Sequence, residues 1–192
     1  MDIVEYQDVK FNGTNEHQSI YKGEPNPDLD NAWDALVFGT KLTAVSAEAV
    51  EKLGKSVQPS LVKFMDEDGG GYMTTMEVTH QLHCLNLLRK STYYDYYKSM
   101  ADPLLRSSPD QYRLHLNHCI DILRQQLMCT ADAGLITYQW VKGYERPYPD
   151  FSTWHKCRAI DKLWEWNEEH AVHVPWSRIK RVEQGMDLEE AP

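Results

Sequence analysis

His80-Gln81-Leu82-His83-Cys84-Leu85-Asn86-Leu87-Leu88-Arg89-Lys90 and His115-Leu116-Asn117-His118-Cys119-Ile120-Asp121-Ile122-Leu123-Arg124-Gln125 are one phrase written twice, 35 residues apart (115 − 80). His80/His115, His83/His118, Cys84/Cys119, Leu88/Leu123 and Arg89/Arg124 are identical, and Leu85/Ile120 and Leu87/Ile122 stay aliphatic. No third copy follows at the same offset, so this is a duplicated element and not a solenoid. His80, His83, Cys84 and Leu87 fall at i, i+3, i+4 and i+7, one face of a helix, and His115, His118, Cys119 and Ile122 repeat those offsets. Two such helices packed face to face bring four imidazoles together.

Burying four imidazoles without partners is costly. An unsatisfied polar group costs ~1–3 kcal/mol and neighbouring imidazolium charges repel. A single His-x-x-His is read as core histidines bonded to carbonyls. Two copies on matched faces favour a metal, for which neutral imidazole is a common ligand. The candidate ligands, and the candidate catalytic centre, are His80, His83, His115 and His118, with thiolates of Cys84 and Cys119 as an alternative. The spacing departs from the usual Cys-x2-4-Cys and His-x3-5-His of a structural zinc site. Four imidazoles from paired helices suit copper, as one ion or two, although the residues alone leave zinc open. His155, close to Cys157, is a candidate fifth ligand or proton shuttle. Asn86 and Asp121 each follow a motif histidine by three residues and are candidates to orient it. His17, His170 and His173 have no partner pattern.

Working outward, the expected fold is mainly α: one compact helical domain over 1–192, built round the two motif helices, with a small β-hairpin. Residues 1–30 read as an extended, irregular arm, 31–170 as the helical core and 171–192 as an acidic tail that frays after Gly185. Asp30 or Asn31 is expected to cap a short helix over Trp33, Leu36 and Val37, and Ser46 to cap a second ending at Gly54. Ser60–Phe64 and Tyr72–Thr75 flank the turn Asp66-Glu67-Asp68-Gly69-Gly70-Gly71 and read as a hairpin; the acids lack the spaced ligands of a calcium loop. The first motif helix is expected from Glu77 to Tyr97. The second opens with Ser108-Pro109-Asp110-Gln111, a capping box with proline at the first helical position, and runs to about Ala131. Leu135–Val141 reads as a strand, Gly143–Pro149 as a loop and Thr153–Glu169 as a last helix.

Composition narrows the function. The chain has 192 residues, 42% of them hydrophobic, which excludes disorder. A net charge of −9 argues against nucleic acid and anionic membrane surfaces as partners. No apolar run reaches the ~20 residues that span a bilayer. Four cysteines, Cys84, Cys119, Cys129 and Cys157, allow three pairings; Cys84 with Cys119 would staple the motif helices, and Cys129 with Cys157 would tie the second to the last helix. The even count and the sequon at Asn12 (Asn12-Gly13-Thr14) point to the secretory lumen.

The paired His-x-x-His-Cys motifs resemble those of the UstYa family of fungal secondary-metabolite proteins. The likeness extends to Lys22-Gly23-Glu24-Pro25 through Trp33, Glu77-Val78, Arg124-Gln125 through Met128-Cys129, and His155 to Arg158, from about residue 6 to residue 166. The resemblance implies oxidative tailoring in natural-product and mycotoxin biosynthesis: oxidative cyclisation of ribosomally made peptides, hydroxylation, desaturation or halogenation at C–H bonds. It implies copper at His80, His83, His115 and His118, with O2 as co-substrate and a peptide or small-molecule intermediate as partner. Family members carry an N-terminal membrane anchor that this chain lacks, so the expected location is lumenal and anchored in the full-length protein. The aromatic residues Tyr93, Tyr94, Tyr96, Tyr97, Trp140 and Trp154 are candidate walls or electron relays. A homo- or heterodimer is compatible with this reading. The rival reading keeps the fold and makes the cluster a zinc site in a non-redox cyclase or a partner subunit.

Overall fold

The computed structural model describes residues 3–181 and 185–190. Strand β1 (Tyr6–Lys10) lies in the N-terminal arm, which is therefore more ordered than its polar sequence suggests. Helix α1 (Pro27–Phe38) starts earlier than Asp30. Asn26 accepts the Leu29 N–H at 2.9 Å, and Pro27, already at a helical φ, takes the first position. Leu29, Trp33 and Val37 form its buried stripe. Strand β2 (Thr43–Val45) leads to α2 (Ala47–Lys52), capped by Ser46 as expected.

The hairpin forms only in part. Strand β3 (Tyr72–Thr74) touches the preceding segment through Phe64 N to Gly71 O and Met73 N to Val62 O, but its full ladder is with β2, from Thr43↔Thr74 to Val45↔Tyr72. Gly71 permits that approach: a Cβ there would sit 3.0 Å from Ala44 Cβ and 3.2 Å from Val45 O. Arg178 neutralises the acidic turn by pairing with Glu67 and Asp68.

Helix α3 (Glu77–Ser91) carries the first motif and stops before Tyr97. The Ser91 and Thr92 hydroxyls donate to Leu88 O and Arg89 O, the last-turn carbonyls, at 2.6 and 2.7 Å. The tyrosine run then forms a separate short helix, α4 (Tyr94–Ser99). Helix α5 (Pro109–Thr130) carries the second motif and opens with the expected Ser108/Gln111 capping box. Strands β4 (Thr137–Gln139) and β5 (Tyr148–Asp150) pair with each other. The expected last helix is shortened. Residues Trp154–Arg158 form β6, antiparallel to β1 from Tyr6↔Arg158 to Lys10↔Trp154, and α6 (Ile160–Glu169) starts after it. Part of the acidic tail falls outside the described residues; within them Arg181 reaches Asp187 at 2.7 Å.

The result is mainly helical, with three two-stranded antiparallel sheets at its margins. α3 packs between α1 and α5, and Cys84, Leu87, Tyr97, Leu105, Tyr112, Leu116 and Cys119 form its core cluster. Arg89 locks three helices together. Its guanidinium donates to Asn86 Oδ1, Tyr97 Oη and Asp30 Oδ1 at 2.9, 2.7 and 2.7 Å and lies over the Trp33 ring. Burial and the bond it gives Asp30 push the Tyr97 hydroxyl up to about 12. Arg124, the same position in the second copy, pairs with Asp121 on the open surface. Arg89→Ala is therefore expected to cost about 3 kcal/mol, leaving the half-dry Asp30 with the Tyr97 hydroxyl but no cation, whereas Arg124→Ala should stay within about 0.5 kcal/mol. Urea denaturation of the two variants checks this contrast.

Candidate metal centre

The earlier histidine of α3 meets the later histidine of α5, so the motif helices run antiparallel. His80 Nε2 lies 3.4 Å from His118 Nε2, and His83 Nε2 lies 3.5 Å from His115 Nε2. The repeat offset carries His80 to His115 and His83 to His118, so these two contacts are one contact seen twice about a local two-fold. Cys84 and Cys119, which the operation exchanges, meet at the centre with no exposed surface. Within each helix the two rings stand about one turn apart, at 6.3 and 6.4 Å between centroids.

The donor set fits a metal ion. Two tetrahedral ligands at about 2.0–2.1 Å from an ion stand about 3.3–3.4 Å apart, close to the separation in each histidine pair. Burial lowers the proton affinity of His83, helped by the charges of His115, His80 and Lys90, and burial likewise lowers that of His115, helped by His118 and His80. Both rings are thereby held in the neutral form that ligates. On the more open side, Cys84 Sγ is 3.7 Å from His80 Nε2, and His80, Cys84 and His118 have ligand atoms within 4.8 Å of one another. Burial pushes the Cys84 thiol up, and burial with the Cys84 contact pushes Cys119 up to about 12. The four imidazoles are therefore the readier donors.

All four cysteines are free thiols, so neither expected staple is a bond here: Cys84 and Cys119 meet as buried thiols, Cys129 is exposed and Cys157 is half-buried on β6. His155 is not brought to the cluster. Its Nδ1 bonds Asp132 at 2.5 Å, its Nε2 bonds Thr153 at 2.9 Å and Phe11 stacks on its face. Asp132 follows the end of α5, whose last turn is ~18 Å along the axis from His118. Asn86 and Asp121 do not bond the motif histidines either. Each accepts from the arginine three residues on, Arg89 or Arg124. Trp140 and Trp154 are 80% and 66% exposed, Tyr96 is exposed, Tyr93 reaches Glu24 at 3.4 Å, and Tyr97 belongs to the Arg89 network. Of the candidate aromatics, Tyr94 lines a cavity beside the motif helices. Two residues escaped the motif reading: Glu77, whose carboxylate lies 3.6 Å from His80 Nδ1, and its repeat counterpart Tyr112. Both sit one turn before a motif histidine, a helical spacing visible in the sequence. Asn12 is exposed, its side chain bonded to His17 and Thr14. His170 stacks on Trp166.

The family model for the mycotoxin biosynthesis protein UstYa matches residues 1–170, which takes in both motif helices and the β1–β6 pair. The chain belongs to the UstYa family. Its relatives include the UstYa family oxidase aprY of Aspergillus flavus, 36% identical over 80% of this chain and 48% of that protein. Another is the UstYa family oxidase phomYc of Diaporthe leptostromiformis, 29% identical over 80% of this chain and 60% of that protein. A third, the transacylase cctO of Talaromyces islandicus, is 29% identical over 90% of this chain and 59% of that protein. The chain thus spans about half the length of the curated relatives it matches. No solved structure matches.

In this UstYa-family fold the motif thiols should be inert. With an exposed Cys129 and a buried, high-pKa Cys119, native-state alkylation at neutral pH is expected to modify Cys129 at least ~100-fold faster than Cys84 or Cys119, and all sites only on unfolding. Peptide mapping after timed iodoacetamide treatment checks this.

Proposed function

We propose that this chain is the metal-binding catalytic unit of a copper- and O2-dependent oxidase in fungal secondary metabolism. It acts at C–H or O–H bonds of a peptide or small-molecule intermediate, with cyclisation, hydroxylation, desaturation or halogenation as the class of outcome. The observation that carries this reading is the pair of equivalent histidine contacts, His80–His118 and His83–His115, on a buried two-fold. The oxidase names of several relatives support it.

One ion is assigned to each pair. Bound copper supplies one-electron redox chemistry and the reduction of O2. The protein supplies the rest. Both helices hold the rings from below through the Cys84–Cys119 contact, so the four donors need little reorganisation. His83 and His115 are half-buried and held neutral by their surroundings. His80 and His118 lie on the more open side, His80 with its side chain 35% exposed, which leaves a route for a substrate. The Glu77 carboxylate, 3.6 Å from His80 Nδ1, favours the tautomer that carries its proton on that nitrogen and leaves Nε2 to the metal.

A lumenal location, glycosylation at Asn12 and a membrane anchor outside this segment belong to the same proposal. Among the described residues no helix is long and apolar enough to cross a membrane. The rival reading, a zinc-stabilised cyclase or partner subunit, draws on the mixed His80–Cys84–His118 group, whose donors suit zinc.

Metal analysis combined with oxygen uptake separates the two. The oxidase reading expects close to two copper ions per chain, loss of about one in His80→Ala or His115→Ala, and at least ~100-fold loss of substrate-dependent O2 consumption on chelation. Full activity in the chelated protein, or retention of zinc alone with turnover in the absence of O2, contradicts it.

A further inference from the structure

We propose that the cavity at the His83–His115 end of the α3–α5 pair is a substrate-docking subsite, and that it takes an aromatic ring with an adjacent carboxylate. The assignment rests on the oxidative reading of the histidine cluster and adds a substrate chemistry to it.

The local two-fold supplies an internal comparison. Ser91, Tyr94, Pro109, Tyr112, Arg113 and Leu116 line a cavity of about 430 Å³. Shifted by the repeat offset of 35, Ser91, Tyr94, Tyr112 and Leu116 become Gln126, Cys129, Glu77 and Gln81, and all four of these line a second cavity, of about 260 Å³, at the opposite end of the helix pair. The duplication thus built two equivalent recesses, one beside each histidine pair, and their side chains have since diverged.

The recess beside His80–His118 is closed on itself. Gln81 Nε2 donates to Gln126 Oε1 at 3.2 Å and to Glu77 Oε1 at 3.4 Å, so its polar groups serve one another and its one charge is negative. The recess beside His83–His115 has the opposite character. Leu116 replaces the bridging Gln81 and Tyr112 replaces the acid. The Tyr94 and Tyr112 rings stand 5.4 Å apart at 44°, a tilted pair suited to receive a third ring. Tyr112 is only 8% exposed, and its hydroxyl faces Ser91 without a well-formed hydrogen bond. Arg113 is exposed and forms no ion pair among the described residues, and Lys98 Nζ lies 5.3 Å from the Tyr94 centroid. The nearby Lys90 is already neutralised by Asp102 at 2.7 Å. In a chain of net charge −9, this is an aromatic recess with a cationic rim.

Guanidinium is the donor that matches a carboxylate bidentately, and the paired tyrosines match a ring. Position completes the case. Tyr112, His115, Leu116 and Cys119 fall at i, i+3, i+4 and i+7, and His83, Leu87 and Ser91 at i, i+4 and i+8, so recess and histidines share one stripe on each helix. The recess therefore lies one to two turns, ~5–11 Å, from the His83–His115 pair. An intermediate anchored there by its ring and carboxylate lays its next bonds over the histidines.

The test uses N-acetyl-L-phenylalanine and its carboxamide as probes, with binding measured by calorimetry or saturation-transfer NMR on the metal-free and the copper-loaded protein. The carboxylate is expected to bind at least ~5-fold more tightly than the amide, and Arg113→Gln to abolish that difference. Tyr94→Leu should weaken both probes by about 5-fold. Gln125→Ala, at the exposed rim of the opposite recess, should change neither. Binding to the metal-free protein and to His80→Ala should persist, so failure of the copper reading would leave these results standing. Equal binding of acid and amide, an unchanged preference in Arg113→Gln, a Gln125→Ala effect as large as that of Arg113→Gln, or no binding overturns the proposal.

Discussion

Two cysteines meeting with no exposed surface set the geometry on which everything else depends. Cys84 and Cys119 are small enough to let α3 and α5 approach closely, and they sit where the local two-fold passes. Their contact fixes how far each helix is turned about its own axis. Once that is set, His80 must face His118 and His83 must face His115, because each histidine stands three or four residues from a motif cysteine or from its motif partner. A bulkier residue at either cysteine position would push the helices apart and separate all four imidazoles at once.

The surroundings break that symmetry in a functional direction. The first copy is embedded: Arg89 reaches α1 and α4, and Lys90 is buried against Asp102. The second copy faces outward, and Arg124 contacts Asp121 and Met128 Sδ, both on its own helix. The duplication therefore yields one helix that anchors the domain and one that completes the site. The same divergence gives the two flanking recesses their different chemistry, amide and acid at one end, tyrosine and arginine at the other.

Much of this was legible in the sequence because the signals were local. The repeat, the inward face of both motif helices, the Ser46 cap and the Ser108/Gln111 capping box depend on spacings of a few residues. What escaped was long-range. The alternation in Trp154-His155-Lys156-Cys157-Arg158 is a strand pattern, with His155 and Cys157 turned inward, but its partner β1 lies some 150 residues earlier, and helix-forming residues follow at once. The tyrosine run 93–97 looked like continued helix. Two hydroxyls bonded to the last-turn carbonyls, together with the pull of Tyr97 into the Arg89–Asp30 network, end α3 before it. Likewise, only the three-dimensional arrangement separates His155, committed to Asp132 and Thr153, from the four histidines that converge.

The residues matched by the UstYa family model include the four histidines that converge. The central claim is that the duplicated motif builds two equivalent metal positions on a thiol-centred two-fold. Anomalous scattering at the copper edge from a crystal of the copper-loaded protein tests it most directly. Two peaks are expected, one between His80 and His118 and the other between His83 and His115. A single peak at His80–Cys84–His118, or no copper near any of the four histidines, would contradict the account.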